Sequence, residues 1–363
     1  MPRVSVIIPS FNHEKYIVET IRSVLDQTFQ DFEIIIVDDA STDNTVSEIK
    51  KFNDKRIKLS ILEKNHGASY AANKCIRKSR GEYIALLSSD DIFIPTKLEK
   101  QVNFLDQHSK IAAVFSYAQI IDEYGKDFSD RSQFYSTIFN QSNRNRFQWL
   151  NYFFHNGNCL CHPSLMMRKK IYETIGFYDD RLAQIPDLDY WIRLCLKYEI
   201  HIIPENLIKF RVRKDEKNTS ADRPETSARH AWELVHVLKT YLNVQAVSDL
   251  LKIFPEVIKF DDSLHSNLIK FYIAMLALER KWAPYQLFAI EVLYEMLGSK
   301  NVAKDLEEKH HFKYSDFIKL TGTSDVMNFF EIHYRDDKID HLESKIKLIK
   351  ESKLYKLGHT FKK

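Results

Sequence analysis

The sequence predicts an α/β fold: a mostly parallel sheet sandwiched by helices, followed by an α-helical C-terminal region. Three observations carry this. Short apolar runs rich in β-branched residues alternate with helical patterns as far as Tyr117. Polar and acidic residues gather where those runs end. Beyond about Glu225 the apolar spacing is helical only.

The elements follow in order. Val4 to Ile8 reads as a buried strand, stopped at Pro9-Ser10-Phe11-Asn12. Roughly Glu14 to Gln27 reads as a helix, with Tyr16, Ile17, Ile21, Val24 and Leu25 on one face. Phe32 to Val37 is a second strand, closed by Asp38-Asp39. Ser41-Thr42-Asp43 offers N-cap chemistry for a helix through about Lys51. Ile57 to Leu62 is a third strand, Asn65-His66-Gly67 a turn, and Ser69 to Ser79 a helix. Tyr83 to Leu87 is a fourth strand, closed by Ser88-Ser89-Asp90-Asp91, and Ala112 to Tyr117 is a fifth. Strand, helix, strand repeated in this way means parallel pairing with helices on both faces. Such sheets bind ligands at the carboxyl ends of their strands. Ser10, Asn12, Asp38, Asp39, Asp90 and Asp91 all fall there.

Residues 127–150 are polar and predict a long loop or insertion. Lys214 to Pro224 is charged and poor in apolar residues, as in a linker. The pattern then turns helical through Gly322. At the end, Ile339, Leu342, Ile346 and Ile349 keep three-four spacing, and Lys345 to Lys363 holds seven lysines and one acid. This basic amphipathic helix suits a solvated end, a short oligomerising coil, or docking on an anionic membrane face. The expected organisation is a domain over 1–215, a helical accessory domain over 225–335 and a basic tail over 336–363.

Composition narrows the function. Of 363 residues, 44% are hydrophobic and 28% charged, which excludes disorder as the main state. Lysine and arginine total 53 against 50 acids, too small a surplus to argue for nucleic acid. No run approaches a membrane span and none reads as a signal peptide, so a cytoplasmic protein is expected. Cys75, Cys159, Cys161 and Cys195 have neither disulfide nor zinc spacing and read as reduced thiols. Neither G-x-G-x-x-G nor a P-loop occurs, which disfavours a dinucleotide-binding or ATPase site.

The carboxylates carry the chemistry. Adjacent acids at a strand end repel unless a cation lies beside them. A divalent metal with a phosphorylated ligand would satisfy Asp90 and Asp91, because Mg²⁺ or Mn²⁺ takes one or two carboxylates and completes its shell with phosphate and water. A helix cap and turn is the plainer alternative; Asp38-Asp39 at a neighbouring edge tips the balance towards a nucleotide site. Asp187 and Asp189 precede the apolar run Tyr190, Trp191, Ile192, Leu194. A carboxylate at such a helix start can act as a general base, and the alternative for either of the two is a helix cap.

Taken together, these pieces resemble the family 2 glycosyltransferases, inverting enzymes of the GT-A fold. The resemblance rests on Val4-Ser5-Val6-Ile7-Ile8-Pro9-Ser10-Phe11-Asn12, Glu33 to Asp39 with Ala40-Ser41-Thr42-Asp43, Asn65-x-Gly67, Gly81-Glu82-Tyr83-Ile84, Ser88-Ser89-Asp90-Asp91 and Asp187-Leu188-Asp189-Tyr190-Trp191-Ile192-Arg193-Leu194. It covers about residues 1–215 and is similar to the SpsA-like enzymes of bacterial surface-polysaccharide synthesis. It implies a nucleoside-diphosphate sugar donor, with UDP the commonest choice, and a glycan or lipid-linked acceptor. Pro9 and Phe11 would line the base pocket, Asp39 would accept from the base N–H, and Asp90 would hold the ribose. Asp91 would ligate Mn²⁺ or Mg²⁺, and Asp187 would be the general base. Arg213, His162 and Asp189 are candidate diphosphate or acceptor contacts.

Three departures from the family pattern stand out. Ser88 replaces the first acid of the usual Asp-x-Asp-Asp. Pro186 replaces the usual Glu before the base. Arg213, in Phe210-Arg211-Val212-Arg213, stands where many relatives have a metal-ligating His. Arg cannot bind a cation but can pair with phosphate, so weaker metal dependence is expected. Two other functions stay open at this point. A sugar nucleotidyltransferase also uses an α/β sheet with acidic metal ligands, but it needs a Gly-rich basic loop that Pro9 to His13 does not supply. A non-catalytic nucleotide-sugar binder would keep the fold with altered acids.

Overall fold

In the computed structural model, the described residues are 1–128, 135–213, 223–261, 263–327 and 329–351. They form two compact units, Met1–Ile269 and one beginning at Lys270.

The first unit is built on strands β1 (Val4–Ser10), β2 (Phe32–Asp38), β3 (Ile57–Ile61), β4 (Tyr83–Leu86), β5 (Ile92–Phe93), β6 (Ile111–Ile121), β7 (Met166–Arg168) and β8 (Glu199–Arg211). Their order across the sheet is β3-β2-β1-β4-β7-β6-β8-β5. Among the described residues, four of the seven pairings are parallel: β1 with β2, β1 with β4, β2 with β3, and β6 with β8. The sheet is therefore mixed but mostly parallel. Every residue of β2 is buried, and so is β1 apart from Pro9. Strands covered on both faces need this continuous apolar character.

Helices α1 (Ile17–Leu25), α2 (Thr45–Lys50), α3 (Ala68–Lys78), α4 (Lys97–Gln107), α5 (Tyr135–Ile138), α6 (Arg146–Asn156), α7 (Lys169–Ile175) and α8 (Pro186–Cys195) flank the sheet. Helices α9 (Pro224–Leu238) and α10 (Val247–Ile253) complete the unit. The compact unit thus continues past 225, where the spacing had placed a separate helical domain.

Two expectations are revised. Antiparallel β7 stands between β4 and β6. Three residues after a Pro163 turn are too few to give a period. The predicted 127–150 loop contains α6, whose N-cap Asn145 and Gln148 form a reciprocal capping box. Residues 129–134 of that stretch lie outside the described residues, as do 214–222 of the predicted linker.

The amino edge of the sheet is locked by one buried carboxylate. Glu33 accepts from Ser5 Oγ at 2.7 Å, from the Arg80 backbone N–H at 2.7 Å, and from Lys58. Burial alone would raise its pKa, but these donors hold it below the ordinary value. Gly81 packs here against β1: a Cβ on it would lie 2.5 Å from the Ser5 nitrogen, a backbone atom that cannot step aside. Gly81→Ala is expected to lower stability by about 1–3 kcal/mol, read as a fall in the urea midpoint at constant slope. An unchanged midpoint would refute this packing.

All four cysteines are buried, and burial pushes the Cys75 and Cys159 thiols up to about 12. Trp149 and Trp191 are core residues at 0% exposure.

The second unit contains α12 (Ala283–Leu297), α13 (Lys300–His310), α14 (Tyr314–Thr323) and α15 (Phe329–Glu351) beyond α11 (Ile269–Leu278). His310 packs against Phe271 and its Nε2 lies 3.2 Å from Tyr272 Oη. On α15, Ile339, Leu342 and Ile346 are each about half exposed. The basic tail beyond Glu351 lies outside the described residues. Among the described residues, no helix is long and apolar enough to cross a membrane.

Candidate active site

The carboxyl ends of β1, β2 and β4 meet on one rim. The Asp39 N–H donates to the Ser10 carbonyl at 2.8 Å. Asp38 turns back on its own loop, accepting from Ser41 N and Oγ at 2.8 and 2.6 Å. Asn12 and Ala40 take positive φ, 52° and 62°. Asn tolerates that region, while for Ala it stores roughly 1–2 kcal/mol of strain. Asn12 spans the two loops: its N–H donates to Ser41 Oγ and its Oδ1 accepts from the Thr42 N–H. The Ser41-Thr42-Asp43 run therefore laces loops together instead of supplying a simple cap, and only Asp43 reaches the α2 start, at Thr45.

Asp39 is buried, and its two oxygens accept from the His66 and Gly67 backbone N–H groups at 2.8 and 2.7 Å. Each oxygen keeps a second lone pair. Phe11 stands 41% exposed at the rim, beside Pro9. Ser10 Oγ is buried with no hydrogen-bond partner among the described residues.

Asp90 and Asp91 follow β4, and β8 fastens them from the far side. The Arg211 N–H donates to Asp91 Oδ1 at 2.8 Å. The Arg211 guanidinium, buried at 2% exposure, donates to the carbonyls of Asp90, Asp122 and Glu123 and to Glu19 Oε2. Asp91 is 2% exposed; burial, with the Asp90 charge beside it, raises its pKa well above the carboxylate range.

Asp90 faces two bases. Its Oδ2 is 3.4 Å from Arg213 Nε and 3.8 Å from His13 Nε2. Arg213 Nη1 lies 3.0 Å from His13 Nε2, and His13 Nδ1 lies 2.7 Å from Ser89 Oγ. A guanidinium can only donate, so Nε2 accepts and Nδ1 carries the proton. Burial lowers the His13 pKa, in keeping with a neutral ring.

Asp187 is the second residue of α8. Asn158 Nδ2 donates to its Oδ2 at 2.6 Å, and the Leu188 N–H donates to its Oδ1 at 2.8 Å. Burial raises its pKa to about 6 against those donors. Asp189 is engaged elsewhere: Arg193 pairs with it at 2.8 Å, and Thr240 Oγ1 lies 3.2 Å away. His162 Nε2 lies 2.9 Å from Tyr178 Oη, its ring packs edge-on against Trp191, and burial lowers its pKa to about 4.

The segment 158–164 ties the two acidic centres together. Asn158 holds Asp187, and three residues on the Cys161 thiol is kept from ionising by burial and by the nearby Asp91 carboxylate. The rim can thus offer charge for a cation and a diphosphate, and the α8 start can offer a proton acceptor. His13, Asn158 and Arg211 of this ensemble were given no role from the sequence. Only Asn158, directly before a Cys-x-Cys-His run, carried even a faint local signal.

The chain matches the family described as Glycosyl transferase family 2 over residues 5–176. It is 35% identical to an uncharacterized glycosyltransferase of Methanocaldococcus jannaschii over 219 residues, 58% of this chain and 71% of that one. It is 46% identical over 110 residues to a Bacillus subtilis chain that bears the name of the teichuronic acid biosynthesis glycosyltransferase TuaG, covering 30% of this chain and 44% of the relative. In fold it is similar to residues 1–349 of S. aureus TarS in complex with UDP-GlcNAc, with a TM-score of 0.59 and 18% identity over 91% of this chain and 92% of that one. The mixed sheet with its helical sequel is accordingly a GT-A fold. The 35% identity over 71% of the Methanocaldococcus jannaschii relative settles membership: the chain belongs to glycosyltransferase family 2.

Proposed function

We propose that this transferase moves a sugar from a nucleoside-diphosphate sugar, a UDP-sugar first among them, to a hydroxyl of a glycan or lipid-linked acceptor in surface-polysaccharide synthesis, with inversion at the anomeric carbon. One observation carries the reading. Asp187 is a half-buried, doubly held carboxylate at the start of α8, and desolvation that raises its pKa to about 6 suits a base working near neutrality. Family membership sets aside both the nucleotidyltransferase and the mere binder.

In this reading, Pro9 and Phe11 border the base, Asp39 accepts from its N–H with a remaining lone pair, and Asp90 faces the ribose. Asp187 takes the proton of the acceptor hydroxyl as its oxygen attacks the sugar from the face opposite the diphosphate. Asp189, paired with Arg193, braces α8, and His162 braces the acceptor side through Tyr178.

The chain's donors fit a divalent cation as a shared ligand. Asp91 is a buried carboxylate with a like charge beside it, and among the described residues no three His, Cys, Asp or Glu side chains cluster as a closed metal site. Such a site suits Mn²⁺ or Mg²⁺ completed by donor phosphates, with Asp91 as the protein's share. When bound, the cation offsets the charge that develops on the departing diphosphate. Arg213, beside Asp90, supplies a further positive charge towards the diphosphate.

The related Bacillus subtilis name supports a place in surface-polysaccharide synthesis, and in this reading the half-exposed Ile339, Leu342 and Ile346 with the basic tail form a peripheral membrane contact or an oligomer seam.

A thermal-shift screen of UDP, dTDP and GDP and their sugar conjugates, with Mn²⁺ and with chelator, tests the donor and Arg213 together. We expect UDP to stabilise the parent most, with part of the shift surviving chelation, and Arg213→Ala to abolish that surviving part. A chelator that removes the whole shift, together with an inert Arg213→Ala, would reject the role of Arg213. No response to any nucleoside diphosphate would reject the donor site.

A further inference from the structure

We infer that Glu233, on α9 and beyond the matched stretch 5–176, is a positioning residue for Asp187. This rests on the reading of Asp187 as the base. The Glu233 carboxylate is 1% exposed, and its oxygens accept the backbone N–H groups of Ala183, Gln184 and Ile185 at 2.7, 2.9 and 3.0 Å. Those three residues lead into α8, and Asp187 follows two positions after Ile185.

Helix α8 cannot cap itself. Its N-cap is Ile185, which has no side-chain acceptor, and Pro186 at its first position has no N–H. Glu233 therefore holds, from another helix, the N-cap amide that the Glu of a capping box holds elsewhere, together with the two amides before it. Three charge-assisted bonds fix the turn, and a negative charge suits a helix N-terminus. A neutral amide would hold the turn with one oxygen in place of two and without the charge. A carboxylate also acts on Asp187 through space, and its charge adds to burial in favouring the protonated acid. The other groups that bear on Asp187 are Asn158, which donates to it, and the Tyr178 hydroxyl; Asp189 on the same helix is neutralised by Arg193. One residue thus holds the direction of Asp187 and adds to the desolvation that raises its affinity for a proton.

The test needs no substrate. Hydrogen exchange of residues 183–190 and the ¹³Cγ titration of Asp187, assigned by its disappearance in Asp187→Asn, are followed in the parent, Glu233→Gln and Glu233→Asp. Glu233→Gln should speed exchange of the 183–185 amides about tenfold and lower the Asp187 midpoint towards the ordinary carboxylate range. Glu233→Asp, shorter but still charged, should speed exchange while the midpoint stays raised, and it stands in should the Gln variant not fold. UDP binding, measured by calorimetry, should change less than about twofold in both. Parental exchange in a folded variant would overturn the proposal, and so would a midpoint in Glu233→Gln equal to the parent's. If Asp187→Asn itself still transfers sugar, the base assignment fails, while the exchange data judge the hold of Glu233 on the turn separately.

Discussion

Asp187→Asn is expected to cut transfer by roughly 10²–10⁴-fold while UDP binds as in the parent. The amide keeps the volume and accepts from the Leu188 N–H, but it cannot take the acceptor's proton. The pH profile gives the second half of the test. Burial lifts this carboxyl from its ordinary 3.8 to about 6, so the active ionised form is lost as pH falls through 6. Parental kcat should therefore rise tenfold per pH unit below that point and level off above it. Product analysis by NMR should show an inverted anomeric centre. A variant retaining more than about a tenth of parental kcat would move the base elsewhere, and so would a profile flat from pH 5 to 8.

Arg211→Ala is expected to cost about 2–4 kcal/mol, a fall in Tm of roughly 5–15 °C. The loss is not mainly the ion pair, since Glu19 is half exposed and such pairs contribute little. The carbonyls of Asp90, Asp122 and Glu123 would lose a buried donor, and the guanidinium would leave the face of Tyr16, 4.8 Å away. Arg211→Lys should recover less than half, because one ammonium cannot reach acceptors on three sides. The backbone that aims Asp90 and Asp91 should loosen in step, so UDP should stabilise these variants less than the parent. A Tm within 2 °C of the parent would show that the rim is held by something else.

The legible part of this molecule was its first half. β1 and β2 read directly from their sequences because parallel strands buried on both faces leave nothing but apolar residues to see. β5 and β7 were invisible, since two or three residues cannot display a period. β8 was hidden by its register shifts against β6 and by Pro204-Glu205-Asn206 in its middle. Helix α6 was lost in a polar stretch whose buried residues, Trp149, Leu150, Phe153 and Phe154, begin only near its end. The placement of Asp39, Asp90, Asp91 and Asp187 at strand and helix ends was legible because such ends are local features. Their partners were not. Arg211 meets Asp91 across 120 positions, His13 meets Arg213 across 200, and Glu233 meets Ile185 across 48. Only the folded chain makes those pairs, and they decide which acids are free to act. Asp189 looked equivalent to Asp187 until Arg193 was placed beside it.

The four shielded sulfhydryls turn the protein into a clock for its own unfolding. Cys75, Cys159, Cys161 and Cys195 all belong to the first unit, and their reluctance to ionise leaves almost no thiolate for an alkylating reagent at neutral pH. Labelling should then proceed only as fast as the sheet opens, and it should stay silent when the C-terminal helices alone come apart. A donor that binds the rim should slow that clock in proportion to its occupancy, reporting ligand capture without any dye or coupled enzyme.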